Sequence, residues 1–126
     1  MPNSQLIHRV TFEMTHGTEA FVEAIRDVAA RMKKEGRPGL LSYNFYVEPG
    51  QSHGEAVIVY ENADALVENH DLIHGWPELA AVGAVSRVTG TSFLGPRAPK
   101  LDAWIEAKAF PFEPGKFGRH AAGFDR

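Results

Sequence analysis

The chain reads as an α+β domain of the order β-α-β-β-α-β, with an antiparallel sheet, its helices on one face and a C-terminal extension. Three observations predict this. Runs with two-residue alternation and stretches with helical spacing follow one another in that order within 126 residues. The third of the apolar runs is apolar on both sides, yet two helices can shield only one face of a sheet. A Gly/Pro-rich segment, Gly95-Pro96-Arg97-Ala98-Pro99, closes the unit and leaves a tail rich in aromatics. The uncovered face calls for a second copy of the chain, so a homodimer is expected. The division is 1–95 for the α+β unit and 96–126 for the extension, which packs on its own unit or on the partner subunit.

The first strand runs from about Leu6 to Met14. Leu6, His8, Val10, Phe12 and Met14 share one face, and Ile7, Arg9, Thr11 and Glu13 share the other. Thr18 serves as the expected N-cap of a helix in which Phe21, Ile25, Val28, Ala29 and Met32 fall at helical spacing. Lys33 and Lys34 suit its C-terminal dipole, and Gly36 and Pro38 end it. The second strand starts at Gly39, with Leu41, Tyr43, Phe45 and Val47 alternating inward.

A turn cluster over 49–54 leads to the third strand, Glu55 to Glu61. Asn62 caps a helix holding Leu66, Val67, His70, Ile73 and His74. Gly75 interrupts it, and Trp76-Pro77 opens a second helical piece from Glu78 to Val85. The fourth strand is Arg87 to Leu94. In the tail, Leu101, Trp104 and Ile105 predict a short helix over Pro99 to Ala107. Phe110 and Phe112 around Pro111 predict an edge strand. Four of the eight phenylalanines lie in this tail, so it is expected to be buried and ordered at least through Phe112.

Composition narrows the function. The formal net charge is -3 and there is no basic block, which argues against nucleic acid. No run approaches the ~20 apolar residues of a membrane span. There is no cysteine, so disulfides, thiolate metal sites and a cysteine nucleophile are excluded. The start Met1-Pro2-Asn3-Ser4-Gln5 has neither a basic region nor an apolar one, and a cytoplasmic protein is expected. G-x-G-x-x-G, P-loop and G-x-S-x-G motifs are absent, which argues against nucleotide cofactors and α/β-hydrolase chemistry.

Within these bounds the order of elements, the Pro38-Gly39-Leu40-Leu41-Ser42-Tyr43 entry to the second strand, and Tyr60-Glu61-Asn62-Ala63-Asp64-Ala65-Leu66 with His70 resemble the antibiotic-biosynthesis-monooxygenase family. Thr89-Gly90-Thr91-Ser92-Phe93 resembles its last strand. The resemblance covers about Leu6 to Leu94. It implies a ferredoxin-like subunit and a dimeric α/β barrel. It also implies cofactor-independent oxygenation of a small aromatic or quinol-like compound, or haem degradation as in other members. The haem-degrading members carry an asparagine, a tryptophan and a histidine, and the first-strand position here is His8. Two further readings on the same fold are a non-catalytic ligand-binding or stress-related barrel, and an isomerase or lyase.

The candidate catalytic residue is His70. It lies one turn after Leu66 on the face expected to meet the sheet, and it matches a histidine the family often carries there. Its ordinary pKa of about 6.5 suits proton transfer from a phenol, and a core histidine bonded to backbone or water is the competing reading. The expected substrate pocket lies between this helix and the sheet, lined by His8, Val10, Phe12, Tyr43, Phe45, Tyr60, His74 and Trp76. His70 and His74 alone are too few ligands for a metal, and no H-E-x-x-H is present, so neither metal nor cofactor is expected.

Overall fold

The computed structural model describes residues 4–126; Met1-Pro2-Asn3, read above, lie outside the described residues. The elements in order are β1 (Leu6–Met14), α1 (Thr18–Glu35), β2 (Leu40–Val47), β3 (His53–Tyr60), α2 (Ala63–Ile73), α3 (Pro77–Ala84), β4 (Ser86–Leu94), α4 (Pro99–Lys108) and β5 (Gly115–Phe117). They build a ferredoxin-like sheet of strand order β2-β3-β1-β4-β5 that does not close on itself. Among the described residues no helix is long and apolar enough to cross a membrane.

The central strand sets the layering. His8 pairs with Ile58 on one side and Phe93 on the other, and Val10 pairs with Ala56 and Thr91. The inward set Leu6, His8, Phe12 and Met14 is buried, as the alternation predicts. α1 contributes Phe21, Val28 and Met32 to the interior, and α2 contributes Leu66, Val67 and Ile73. α4 is part of the core: Leu101 and Ile105 are buried against Leu6, Tyr60, Leu66 and Phe93.

Four expectations are corrected. The sheet is not wholly antiparallel, because β5 joins β4 in parallel after α4 carries the chain back. The edge strand is not centred on Pro111: Phe110 and Phe112 stack on each other at 5.4 Å, and pairing begins only at Gly115. Pro111 and Pro114 lack the N–H a ladder needs, so the strand starts after the second of them. In β2 the register shifts between Leu40 and Ser42, which sends Leu41 outward and leaves it half-exposed while Leu40 packs inward. At α1 the cap position is Gly17, whose φ of 86° turns the chain into the helix, and Thr18 is the first helical residue.

Asn62 caps α2 as expected, its Oδ1 accepting from the Ala65 N–H at 2.9 Å. The outer face of the sheet carries no helix. Arg87 meets Glu13 there at 3.2 Å, and Arg9 pairs with Glu55. Around these ion pairs lie partly buried Val57 and Val59 and exposed Tyr46.

Candidate functional site: a histidine pair under the tail helix

Three elements converge on one spot. β1 turns His8 inward, where it is 5% exposed and lies flat on Phe93, ring centroids 4.7 Å apart and planes 9° apart. α2, started by the Asn62 cap, carries His70 toward the same place, its ring 6.2 Å from that of His8. α4 lays Trp104 over both: it is 4.7 Å from His70 and stands edge-on to His8 at 6.4 Å. The Lys108 ammonium sits 5.0 Å above the Trp104 ring.

The polar atoms of this cluster are unevenly satisfied. His8 Nε2 lies 2.8 Å from Thr91 Oγ1, and that hydroxyl donates to the Arg9 carbonyl at 3.1 Å. His8 Nδ1 and His70 Nε2 are buried with no hydrogen-bond partner among the described residues. Orphaned buried polar atoms are rare in native interiors, and each calls for an explanation such as a water, an ion or a catalytic role. Burial lowers the His8 pKa to about 3, with the charge of His70 acting in the same direction. Burial also lowers His70 to about 4, aided by Lys108 and opposed by Asp71. Both rings are therefore neutral at pH 7.

The inner face of the sheet beyond the pair is aromatic and apolar, and Phe45 there also approaches Phe12 and Phe21. Val10 stays partly exposed although it sits mid-sheet on the inner face, between Ala56 and Thr91. Tyr43 and Phe45, also only partly buried, meet edge to face at 5.0 Å. Burial pushes the Tyr43 hydroxyl up to about 12. Tyr60 is fully buried and its pKa is raised by burial, with Tyr43 adding to the effect and a hydrogen bond to Asn69 opposing it. Asn69 is itself buried, and its Oδ1 accepts from the Arg37 N–H at 3.0 Å.

Not every expected pocket residue reaches this spot. His74 is exposed, because α2 ends at Ile73 and the chain turns at Gly75, with φ of 87°. Trp76 is buried elsewhere, against Val28, Met32 and Ile73, with the Arg31 guanidinium 4.0 Å from its ring centre. Phe12 stacks on Phe21 at 4.4 Å in a separate cluster at the far end of β1. Trp104, Thr91 and Phe93 were absent from the expected lining. The spacing of Leu101, Trp104 and Ile105 marked the helix, but its docking onto His70 is a long-range contact with no local signal. Among the described residues no three His, Asp or Glu side chains gather as a metal set. A separate cleft of about 360 Å³ opens at the outer side of the sheet between Ile7, Leu94, Phe117 and Phe124, away from His8 and His70.

No protein-family model matches the chain, and no curated protein matches it in sequence. Solved structures do. MupZ from Pseudomonas fluorescens is similar with a TM-score of 0.70 and 24% identity, covering 98% of this chain and 96% of that one. SnoaB from Streptomyces nogalater, a cofactor-independent oxygenase, has a TM-score of 0.63 and 16% identity, covering 75% of this chain and 95% of its own. The monooxygenase ActVA-Orf6 from Streptomyces coelicolor, solved with nanaomycin D, has a TM-score of 0.56 and 18% identity, covering 78% and 92%. These likenesses establish the fold, which is that of antibiotic-biosynthesis-monooxygenase-type proteins. The coverage also separates them: the two oxygenases leave about a quarter of this chain unmatched, while MupZ leaves almost none.

Proposed function

We propose that the chain is a homodimeric, cofactor-independent oxygenase of the antibiotic-biosynthesis-monooxygenase type, acting on a small aromatic hydroxyl compound of the hydroquinone class. The observation that carries this is the pair of buried, unpartnered imidazole nitrogens, on His8 and His70, beside Trp104 and Phe93. These aromatic neighbours suit stacking against a flat ring, whose hydroxyl would supply the missing hydrogen-bond partner. The likeness in fold to the oxygenases SnoaB and ActVA-Orf6 supports the same reading.

The chemistry needs little from the protein. A histidine nitrogen takes the hydroxyl proton, and the oxygen keeps the electron pair. The resulting anion is rich enough in electrons to reduce O2 itself, so the substrate supplies the electrons. The developing oxyanion and imidazolium stabilise each other, and exclusion of water strengthens that attraction. The low resting pKa values keep both rings neutral until a substrate arrives, so each ring retains one nitrogen lone pair.

The homodimer reading rests on the helix-free outer face, where Leu41, Tyr46, Val57 and Val59 lie around the Arg9–Glu55 pair. A second copy packed there would cover them. Light scattering at micromolar concentration should report a dimer, and a stable monomer would remove this part.

The enzyme reading is tested by oxygen uptake with 1,4-naphthohydroquinone at pH 7. Enzyme-dependent uptake is expected, well above autoxidation. A protein that takes up no oxygen yet quenches its tryptophan fluorescence on adding a naphthoquinone would be a binding protein. The depressed histidine pKa values favour that second reading, since they make both rings weak bases at rest.

A further inference from the structure

The histidine pair is not symmetric, and hydrogen-bond bookkeeping tells its members apart. Thr91 has one hydroxyl proton. The Arg9 carbonyl oxygen can only accept, so at 3.1 Å the Thr91 proton points there. Toward His8, Thr91 Oγ1 is then an acceptor, and Nε2 at 2.8 Å must carry the hydrogen. A neutral imidazole has one ring hydrogen. His8 Nδ1 is therefore a bare lone pair, and it is the nitrogen left buried without a partner. The ring cannot easily turn away, because Phe93 is stacked on it and the strand register pairs Val10 with Thr91 beside it.

His70 has no such arrangement. Among the described residues no side-chain hydrogen bond sets its tautomer, and it is carried on a helix rather than mid-sheet.

We propose that His8, and not His70, takes the proton from a ligand hydroxyl in this site, and that Thr91 is the positioning residue that keeps its lone pair turned inward. This rests on the hydroxyl-bearing substrate class proposed above. In the step, the ligand O–H bond breaks and an Nδ1–H bond forms. The electron pair of the old bond stays on the ligand oxygen. The imidazolium that results still donates Nε2–H to Thr91, so the Thr91–Arg9 chain stabilises the charge without itself changing protonation. His70 Nε2 is the second contact for the ligand.

The test is nuclear magnetic resonance on protein labelled with 15N-histidine, with and without 2-naphthol, a phenolic probe that is stable in air. In the wild type, His8 should be a single Nε2–H tautomer, and its Nδ1 resonance should move when 2-naphthol binds. Thr91→Val should convert His8 to a mixture of tautomers, and Thr91→Ser, which keeps the hydroxyl, should restore one. In oxygen uptake, Thr91→Val should lower kcat roughly tenfold or more with little change in KM, the usual range for a group that orients a histidine. An Nδ1–H tautomer of His8 in the wild type would overturn the proposal. So would 2-naphthol shifts confined to His70. Because the tautomer is read on the wild type, a Thr91 variant that fails to fold does not rescue the idea. Absence of oxygen uptake would sink the oxygenase reading while leaving the tautomer result to stand alone.

Discussion

Trp104 lies across His70 at 4.7 Å, its plane tilted by 45°, so a residue of the C-terminal extension shares a site with residues of β1 and α2. Leu101 and Ile105, three residues before and one after it, anchor that helix in the core. The extension is therefore part of the core, and on the proposed reading also part of the site, two roles that separate experimentally.

Trp104→Ala should weaken binding of a naphthoquinone about tenfold, because it removes the aromatic wall over His70. Trp104 is only partly buried, so the stability loss should be about 2 kcal/mol, below the 3–5 kcal/mol typical of a buried tryptophan. Trp104→Phe should retain affinity within about threefold, since a ring remains for stacking. Fluorescence-independent titration by calorimetry checks both.

His8→Ala should reduce hydroquinone turnover by roughly 10²–10⁴-fold, the loss expected on removing a general base. His70→Ala should cost less in kcat and more in KM, as befits a contact that holds the ligand. If His70→Ala alone abolishes kcat while His8→Ala does not, the roles assigned to the pair are reversed. Steady-state oxygen uptake with each variant decides.

Truncation after Pro99 should destabilise the whole domain. It removes the burial of Leu101 and Ile105, each fully buried apolar side chain being worth about 1.5–3 kcal/mol. A domain of this size has only about 5–15 kcal/mol to lose. Thermal unfolding followed by circular dichroism should show a clear drop in Tm. An unchanged Tm would mean that the extension is an appendage.

Stability should fall in mild acid for a reason that can be mutated away. The histidines have folded-state values of about 3 and about 4 against an ordinary 6.5. Between roughly pH 6.5 and 3 the unfolded chain binds more protons than the folded one, so stability is complete above that window and is lost as pH falls through it. At pH 5 the loss from His8 alone is on the order of 2 kcal/mol, at 1.36 kcal/mol per pH unit. Urea unfolding of the His8→Gln/His70→Gln double variant at pH 7 and pH 5 should show a smaller difference than the wild type. An equal difference would place the acid sensitivity in the carboxylates.

Much of this was legible in the residues and some was not. Alternation placed His8 on the buried face, and the Asn62 cap with Leu66 placed His70 inward, because both rest on local periodicity. Leu41 escaped, because a bulge changes parity without leaving a mark in an apolar run such as Leu40-Leu41. His74 escaped because helical spacing from His70 has no meaning once the helix stops at Ile73. Trp76, expected in the pocket, is buried away from His70. Its neighbours Val28 and Met32 belong to another helix, and that packing decides its place. Thr91 could be found only by following hydrogen bonds across two strands, from His8 to a carbonyl at position 9.

The division of the site between two stretches of chain has a consequence for how such a protein diversifies. His8, His70 and Thr91 belong to the unit that closes at Gly95, and Trp104 comes after it. Changes confined to the later stretch alter the surroundings of His70 while His8, His70 and Thr91 keep their positions. On the proposed reading, exchange of the segment after Gly95 between proteins of this fold would change the Trp104 side of the site and leave its proton-handling groups in place.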